Sequence, residues 1–378
     1  MHIAIDGNEA NVENRVGSNV YAFEMLLALH RLLEKHPSHS ITILLSSPPI
    51  ASLPPASPRY HYRVIKPAKL WTQFALPLYL FSHFWQFDVF YTPSHYAPRF
   101  SPIPYISTVL DLAFLEFPAQ FLPHDLKQLT SWTRYSVRRA RKIAVISRFT
   151  AQEVTKHYSL PPEKIIPAPP GFSSPPPPLP PTAQKDILAQ LYINAPFFLY
   201  LGTIQPRKNL IRLIDAFTAF MTTKKSKSDF NLVIAGKIGW LANEVLDAVS
   251  CSPFRDQITL TDFVDEPTKY TLLTNCLANY NLGLYEGFGI PALEALSVGA
   301  LPVVANNTSL PEVIGQAGLA VDPLQDDDIA DSMHKVIRLS PTQKKSFAAK
   351  AAIQLKKFSY EQSAQAILDN LASLTRHA

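Results

Sequence analysis

Cysteine is nearly missing from this chain. Only Cys251 and Cys276 occur among its 378 residues, too few for a disulfide framework and without the spacing of a metal site. A reduced, cytoplasmic setting is the expectation. A strong charge of one sign is also missing. The net charge of +5 favours anionic ligands or an anionic membrane surface and does not imply nucleic acid. No arginine-rich recognition helix, zinc-finger spacing or aromatic RNA-binding signature occurs. The N-terminus, Met1-His-Ile-Ala-Ile-Asp6, reads as a buried strand and lacks the basic region and apolar core of a leader. Long apolar runs are absent too. The most apolar stretch, Leu70 to Tyr91, is interrupted by Gln73, Pro77, His83, Gln86 and Asp88, which argues against a membrane span. It predicts a buried or interfacial helix leading into a core strand.

What is present suits two sizeable cores. Hydrophobic residues make up 47% and charged residues 17%, and the length suggests two domains. In the first half, strands are predicted at Ile3–Ile5, Ile41–Leu45, Val89–Tyr91, Tyr105–Leu110 and Lys142–Ile146. Ser18 is placed to cap a helix on which Ala22, Leu26, Leu29 and Leu33 recur at helical spacing. Prolines crowd the stretch from Pro167 to Pro181, and proline's missing amide donor and fixed φ exclude a helix or inner strand there. A semi-rigid linker is expected. After it, strands are predicted at Phe197–Leu201, Asn231–Ala235, Ile258–Leu260, Tyr280–Leu284 and Leu301–Ala305, with a helix from Asn209 to about Met221. Strand and helix alternate in both halves, the pattern of parallel sheets covered by helices. The expected division is a first α/β domain over residues 1–167, a linker over 168–183, a second α/β domain over 184–358, and a closing helix over 359–378.

Two clusters carry chemistry. Gly202-Thr-Ile-Gln-Pro-Arg207-Lys208-Asn209 follows a strand and opens a helix. Ligands of open α/β sheets bind beyond the carboxyl ends of strands, and a helix N-terminus favours an anion. Arg207 and Lys208 are therefore a candidate diphosphate clamp. By themselves they read equally as two solvated side chains on a loop. The second cluster is Leu284-Tyr-Glu286-Gly287-Phe288-Gly289-Ile290-Pro291-Ala-Leu-Glu294-Ala-Leu-Ser-Val-Gly299. Pro291 suits a first helical turn and Gly299 a helix end. Gly287 and Gly289 let the backbone approach a ligand. Glu286, at a strand end, and Glu294, in the first helical turn, can both accept hydrogen bonds from hydroxyls. A structural glycine turn with a dipole-favoured Glu is the other reading of the same residues. Among Arg134, Arg138, Arg139, Arg141 and Lys142, positions 134, 138, 141 and 142 can share a helical face, either solvated or docked on anionic lipid.

The two clusters, in this order, resemble family 4 glycosyltransferases, the retaining group with the GT-B fold. The resemblance extends to Thr308-Ser-Leu-Pro-Glu312-Val-Ile-Gly and to Phe358-Ser-Tyr-Glu361, and it runs over most of the chain. It implies an α/β GT-B architecture, two Rossmann-like parallel-sheet domains facing a cleft, with the C-terminal helix crossing back to the first. It implies that Glu286 contacts the donor sugar, with Gly287, Phe288, Gly289 and Ile290 near sugar or phosphate, and that Glu294 holds the ribose. Arg207 and Lys208 would stabilise the departing diphosphate in place of a metal, so neither metal nor cofactor is expected. Gly202 would line the donor loop, and Lys237, in Gly236-Lys-Ile-Gly-Trp240, would either approach the nucleotide or stand as a lone exposed lysine. In the first domain Gly17, in Gly17-Ser-Asn-Val-Tyr21, resembles the family's glycine loop, and Asp111 its strand-end carboxylate. Ser147-Arg148-Phe149 resembles another such segment, or is a helix cap.

Three departures stand out. Leu110 replaces the usual His before Asp111, Leu282-Gly283 replaces Pro-Ser, and residues around Asn8 replace an Arg common after the first strand's Asp. The implied activity is retaining, metal-independent transfer of a hexose from a nucleotide sugar to a saccharide or lipid-linked saccharide. The Pro-Arg-Lys-Asn-Leu run looks most like mannosyltransferases, so GDP-mannose is favoured over a UDP-sugar. The alternatives are a nucleotide-sugar epimerase of the same fold, which uses no acceptor, and a non-catalytic nucleotide-sugar-binding protein. A phosphorylase would need a pyridoxal phosphate lysine, which nothing marks.

Overall fold

The computed structural model describes residues 1–172, 174–223 and 230–375. The chain forms two compact units, one of residues 1–171 with 358–378 and one of residues 172–357.

The first unit holds a seven-stranded, all-parallel sheet. Its strands are β1 (His2–Asp6), β2 (Ser40–Leu45), β3 (Tyr60–Val64), β4 (Val89–Thr92), β5 (Tyr105–Val109), β6 (Lys142–Val145) and β7 (Ile165–Pro167), in the order β3-β2-β1-β4-β5-β6-β7. The strand order reverses between β1 and β4, which creates a crevice at their carboxyl ends. β4 and β5 are buried along their whole length, as expected of inner strands covered on both faces. The last helix, Tyr360–Thr375, belongs to this unit. The Ser363 hydroxyl donates to Pro169 O at 2.7 Å, Lys142 Nζ to Asn370 Oδ1 at 2.6 Å, and Arg31 pairs with Glu361 at 2.8 Å.

The second unit has six parallel strands, β8 (Phe197–Leu201), β9 (Asn231–Ala235), β10 (Ile258–Leu260), β11 (Ala278–Asn281), β12 (Pro302–Ala305) and β13 (Leu319–Val321), in the order β10-β9-β8-β11-β12-β13. Here the order reverses between β8 and β11. Phe198, Phe217, Phe220 and Tyr280 are fully buried and pack edge to face at the centre of its core.

Several expectations are corrected. β3, β7 and β13 have no counterpart among the predicted strands, and all three lie at sheet edges. Short edge strands carry little apolar alternation to read. β11 ends at Asn281, not Leu284, because Leu284 N–H leaves the ladder and donates to Arg207 O at 2.8 Å. The proline run does not exclude a helix up to residue 183. Pro181 opens the helix Pro181–Gln190, a position where the missing amide costs nothing. Gly17 rather than Ser18 is the N-cap of the helix Ser18–Lys35, and the Ser18 hydroxyl donates to Glu9 instead. The helix Pro123–Arg139 stops before Arg141 and Lys142, so these cannot share its face. The stretch before β4 is only partly buried, and its outer side is exposed. Among the described residues no helix is long and apolar enough to cross a membrane.

Candidate functional site

In the second unit, the two motif loops leave the carboxyl ends of β8 and β11, the pair that flanks the reversal of strand order. β8 delivers Gly202 through a short 3-10 turn, Pro206–Lys208, into the helix Leu210–Thr222. β11 delivers Leu282 through Gly289 into the helix Ile290–Ser297. The loops are tied together. Arg207 Nη1 donates to Tyr285 O at 2.8 Å and lies 3.5 Å from Glu286 Oε2, and Lys208 Nζ lies 2.5 Å from Glu286 Oε1. The three side chains are largely buried, each at most 17% exposed. Burial pushes the Glu286 carboxyl up, but Lys208 and then Arg207 more than offset it, so its pKa lies below the ordinary value. The carboxylate is thus held ionised between two cations. Tyr200 is buried beside it, and burial and the Glu286 charge push its phenol pKa well up.

The surrounding residues hold this arrangement. The Ser309 hydroxyl donates to Glu286 O at 2.7 Å or to Phe288 O at 2.9 Å, and the Asn307 amide donates to Leu284 O at 3.2 Å. Gly289 caps the helix Ile290–Ser297 in the left-handed region, with φ 103°. Phe288 is buried, and its carbonyl oxygen accepts from the Ser309 hydroxyl. Gly202 and Lys237 are brought together, since Gly202 N–H donates to Ala235 O and Ile204 N–H to Lys237 O, both at 2.9 Å. Asn209 takes the N-cap position with φ 61° but makes no side-chain cap, and its amide donates to Pro323 O at 2.7 Å. Glu294 is the fifth residue of its helix rather than part of the first turn. It accepts a 2.7 Å hydrogen bond from Lys269 Nζ. Sequence reading missed Lys269, because nothing near it in sequence marks the pairing. Glu286 lies beyond the loop's start, five residues after β11 ends, rather than at a strand end.

One departure from the family pattern now has a physical account. A Cβ on Gly283 would stand 2.6 Å from Glu286 Oε1 and 3.0 Å from its Cγ. The Glu286 side chain folds back over position 283, and glycine leaves room for it. Leu282 joins the buried core.

In the first unit, Gly17 and Asp111 lie on loops that leave β1 and β5. The Asn8 amide donates to Asp6 Oδ1 at 2.9 Å, and its oxygen accepts from Ser46 N at 2.8 Å, so it ties β1 to β2. Burial raises the Asp6 pKa to about 7 and raises that of Glu9. Asp111 Oδ1 accepts from Ala113 N–H at 3.2 Å. Leu110, where the family pattern has His, is buried. His95, on the loop leaving β4, interacts with the Asp111 charge, although burial dominates and lowers the imidazole pKa. Its Nδ1 is buried without a hydrogen-bond partner among the described residues. A His three residues beyond the end of the Val89–Thr92 strand was the available signal. Ser147 caps the helix Arg148–Tyr158, accepting from Thr150 N–H at 2.9 Å.

Comparison with known proteins accords with this geometry. The profile described as "Glycosyl transferases group 1" matches residues 185–353, and that described as "Glycosyltransferase Family 4" matches residues 16–174. The O-antigen chain mannosyltransferase B of Escherichia coli is 28% identical over 72% of this chain and 71% of its own length. A serotype-specific mannosyltransferase WbdA of Escherichia coli is 28% identical over 62% of this chain, a match that spans only 29% of that longer protein. Among solved structures, Anabaena Alr3699/HepE in complex with UDP-glucose superposes with a TM-score of 0.72 at 16% identity, covering 99% of this chain and 100% of that one. WaaG, a glycosyltransferase involved in lipopolysaccharide biosynthesis, gives 0.70 at 14% identity, covering 98% and 99%. Two Rossmann-like parallel sheets with these neighbours define a glycosyltransferase of the GT-B fold. With both halves matched, the chain belongs to the family 4 glycosyltransferases.

Proposed function

We propose that this glycosyltransferase moves mannose from GDP-mannose to a saccharide or lipid-linked saccharide during assembly of a cell-surface polysaccharide, with retention and without a metal. The observation that carries the reading is the meeting of Arg207, Lys208 and Glu286 at the β8/β11 reversal, next to a helix N-terminus. A diphosphate there meets a guanidinium fork, an ammonium and oriented amides. These groups stabilise charge where it develops as the leaving diphosphate departs. Glu286 acts on sugar hydroxyls and Glu294 on the ribose, where Lys269 shares it. No carboxylate is assigned as a nucleophile, so the acceptor attacks on the face the diphosphate leaves, and a phosphate oxygen takes the acceptor's proton. The mannosyltransferase relatives support the donor sugar. Peripheral contact with an anionic membrane at the inner face belongs to the same reading.

A panel of nucleotides and nucleotide sugars in thermal-shift and calorimetric assays tests it. A donor at about a hundred times its Kd adds roughly 2.7 kcal/mol of stability. GDP and GDP-mannose are expected to stabilise the wild type and to lose most of that effect on Arg207→Ala. Stabilisation by UDP compounds alone would reject the donor, and no response to any nucleotide would reject the site.

A further inference from the structure

Two helices of the second unit bring a cation against Glu294. The helix Glu266–Asn275 starts just beyond the exit end of β10. Asp265 caps it, accepting from Thr268 N–H at 2.9 Å, and Pro267 sits in its first turn, where the missing amide costs nothing. The loop ahead of this helix is tied to the exit of β9, because Gly236 N–H donates to Asp262 O at 2.9 Å. Lys269 is the fourth residue of its helix, and Glu294 is the fifth of the helix Ile290–Ser297. Both therefore stand near the starts of helices that begin on the exit side of the sheet. That side also carries Gly202, Lys237 and the cluster of Arg207, Lys208 and Glu286.

Lys269 Nζ donates to Glu294 Oε1 at 2.7 Å, and the two side chains are only 19% and 22% exposed. The ammonium also lies 4.6 Å from the centroid of the Tyr270 ring, close enough for a cation–π attraction that restrains it. Burial pushes the Lys269 pKa down, but the Glu294 charge leads a set of neighbours that more than offset it, so the amine keeps its proton. The pair leaves hydrogen-bonding capacity unused. An ammonium has three N–H donors and a carboxylate two acceptor oxygens. One donor and Oε1 are spent on each other. Glu266, the next carboxylate, is 4.0 Å from Lys269 Nζ, beyond hydrogen-bonding reach. Among the described residues, Glu294 Oε2 and the other two N–H groups of Lys269 have no further hydrogen-bond partner.

We propose that Lys269 is a second ribose-binding residue: the vicinal diol of the nucleotide spans the pair, one hydroxyl donating to Glu294 Oε2 and its neighbour accepting from Lys269 Nζ. This rests on the reading of Glu294 as the ribose carboxylate. A carboxylate alone could take both hydroxyls, one on each oxygen, but here Lys269 already occupies Oε1. A hydroxyl both donates and accepts, so a diol meets an acceptor and a donor standing side by side. Both bonds are charge-assisted and partly shielded from water, which strengthens them. A nucleotide lacking either hydroxyl leaves one of the charged groups without its new partner, and a site built this way rejects such an analogue. The ligand class is accordingly a ribonucleotide rather than a deoxyribonucleotide.

Calorimetry of the full chain tests it, with GDP and UDP and the 2′-deoxy and 3′-deoxy forms of each, so that the base is not presupposed. For the nucleotide that binds, loss of either hydroxyl is expected to weaken the wild type at least about tenfold, the scale of a hydrogen bond to a charged group. Lys269→Met is expected to weaken the parent nucleotide at least about tenfold and to bind one deoxy form as well as the parent, while the other deoxy form still loses affinity. A merely structural ion pair would weaken the parent and both deoxy forms equally, and that result overturns the proposal. So does a variant that binds the parent as well as or better than wild type, with Glu294 gripping both hydroxyls once released, and so does a wild type indifferent to both hydroxyls. Should Lys269→Met misfold, the 2′-fluoro and 3′-fluoro forms on the wild type replace it. Fluorine accepts weakly and cannot donate, so one fluoro form is expected to bind better than its deoxy counterpart and the other no better. Two fluoro forms that both match their deoxy counterparts overturn the Lys269 contact. Binding of neither GDP nor UDP removes the donor site and the proposal with it, which separates failure of that reading from failure of the contact.

Discussion

Gly283 and Asp6 show how single residues set the two units' exit loops. Without a side chain at 283, the Glu286 carboxylate folds back between Arg207 and Lys208. Gly283→Ser would push aside the flexible end of Glu286 before it disturbed the backbone. The variant is expected to keep its melting temperature within a few degrees and to weaken nucleotide-sugar binding at least about tenfold, since charge-assisted hydrogen bonds are worth about 1.5–3 kcal/mol. Equal affinity by calorimetry would show that Glu286 placement is not critical. Asp6 gives a pH signature. Its pKa rises from 3.8 to about 7 in the fold, from burial that outweighs its hydrogen bonds with Asn8. The native state therefore favours the protonated acid. Its stabilising contribution is complete below the unfolded value and is lost as pH rises through about 7. Asp6→Asn keeps an acceptor for Asn8 and removes the ionisation. Its melting temperature should match wild type at acid pH and exceed it above about pH 7; a variant less stable than wild type at pH 8 would contradict the assignment.

At the scale of elements, the helix Ile290–Ser297 is defined by its ends. Pro291 lies in its first turn, and its last turn closes in a Schellman motif, with Ala300 N–H on Ala295 O at 3.0 Å and Gly299 N–H on Leu296 O at 3.1 Å. Gly299 has φ 76° and open space where a Cβ would go. Gly299→Ala should therefore cost about 1 kcal/mol through backbone strain alone, read as a lower urea midpoint with an unchanged m-value. No change would mean the turn relaxes. This helix was legible because its signals are local: a proline at the start, a glycine at the end, apolar spacing between. The edge strands β3, β7 and β13 were not, because what pairs them is a neighbouring strand rather than a pattern of their own. The early end of β11 was hidden for a similar reason. Its ladder is broken by a hydrogen bond from Leu284 to Arg207, far away in sequence.

At the scale of the whole molecule, the first unit is discontinuous. It is closed by the helix Tyr360–Thr375, whose Ala364, Ile367 and Leu371 are fully buried. Burying a large aliphatic side chain contributes about 1.5–3 kcal/mol, and a domain's net stability is only about 5–15 kcal/mol. Ending the chain at Lys357 should leave the first unit open to proteolysis while a resistant fragment beginning near residue 172 survives. An undegraded first unit with the full-length chain's denaturant midpoint would show that the helix is dispensable.

The sequence by itself determined the class of the fold, the place along the chain of most inner strands and the residues of the two motif loops. Each of these is written in local apolar periodicity, turn residues or motif spacing. Only the tertiary structure decided which groups meet. It paired Glu294 with Lys269, brought His95 within reach of the Asp111 charge where Leu110 stands in place of an imidazole, and showed why position 283 is glycine. It also left an apolar helical face of the first unit exposed. Such contacts depend on how parallel strands line up their exits and entries in space, and that alignment arises from packing between segments far apart in the chain.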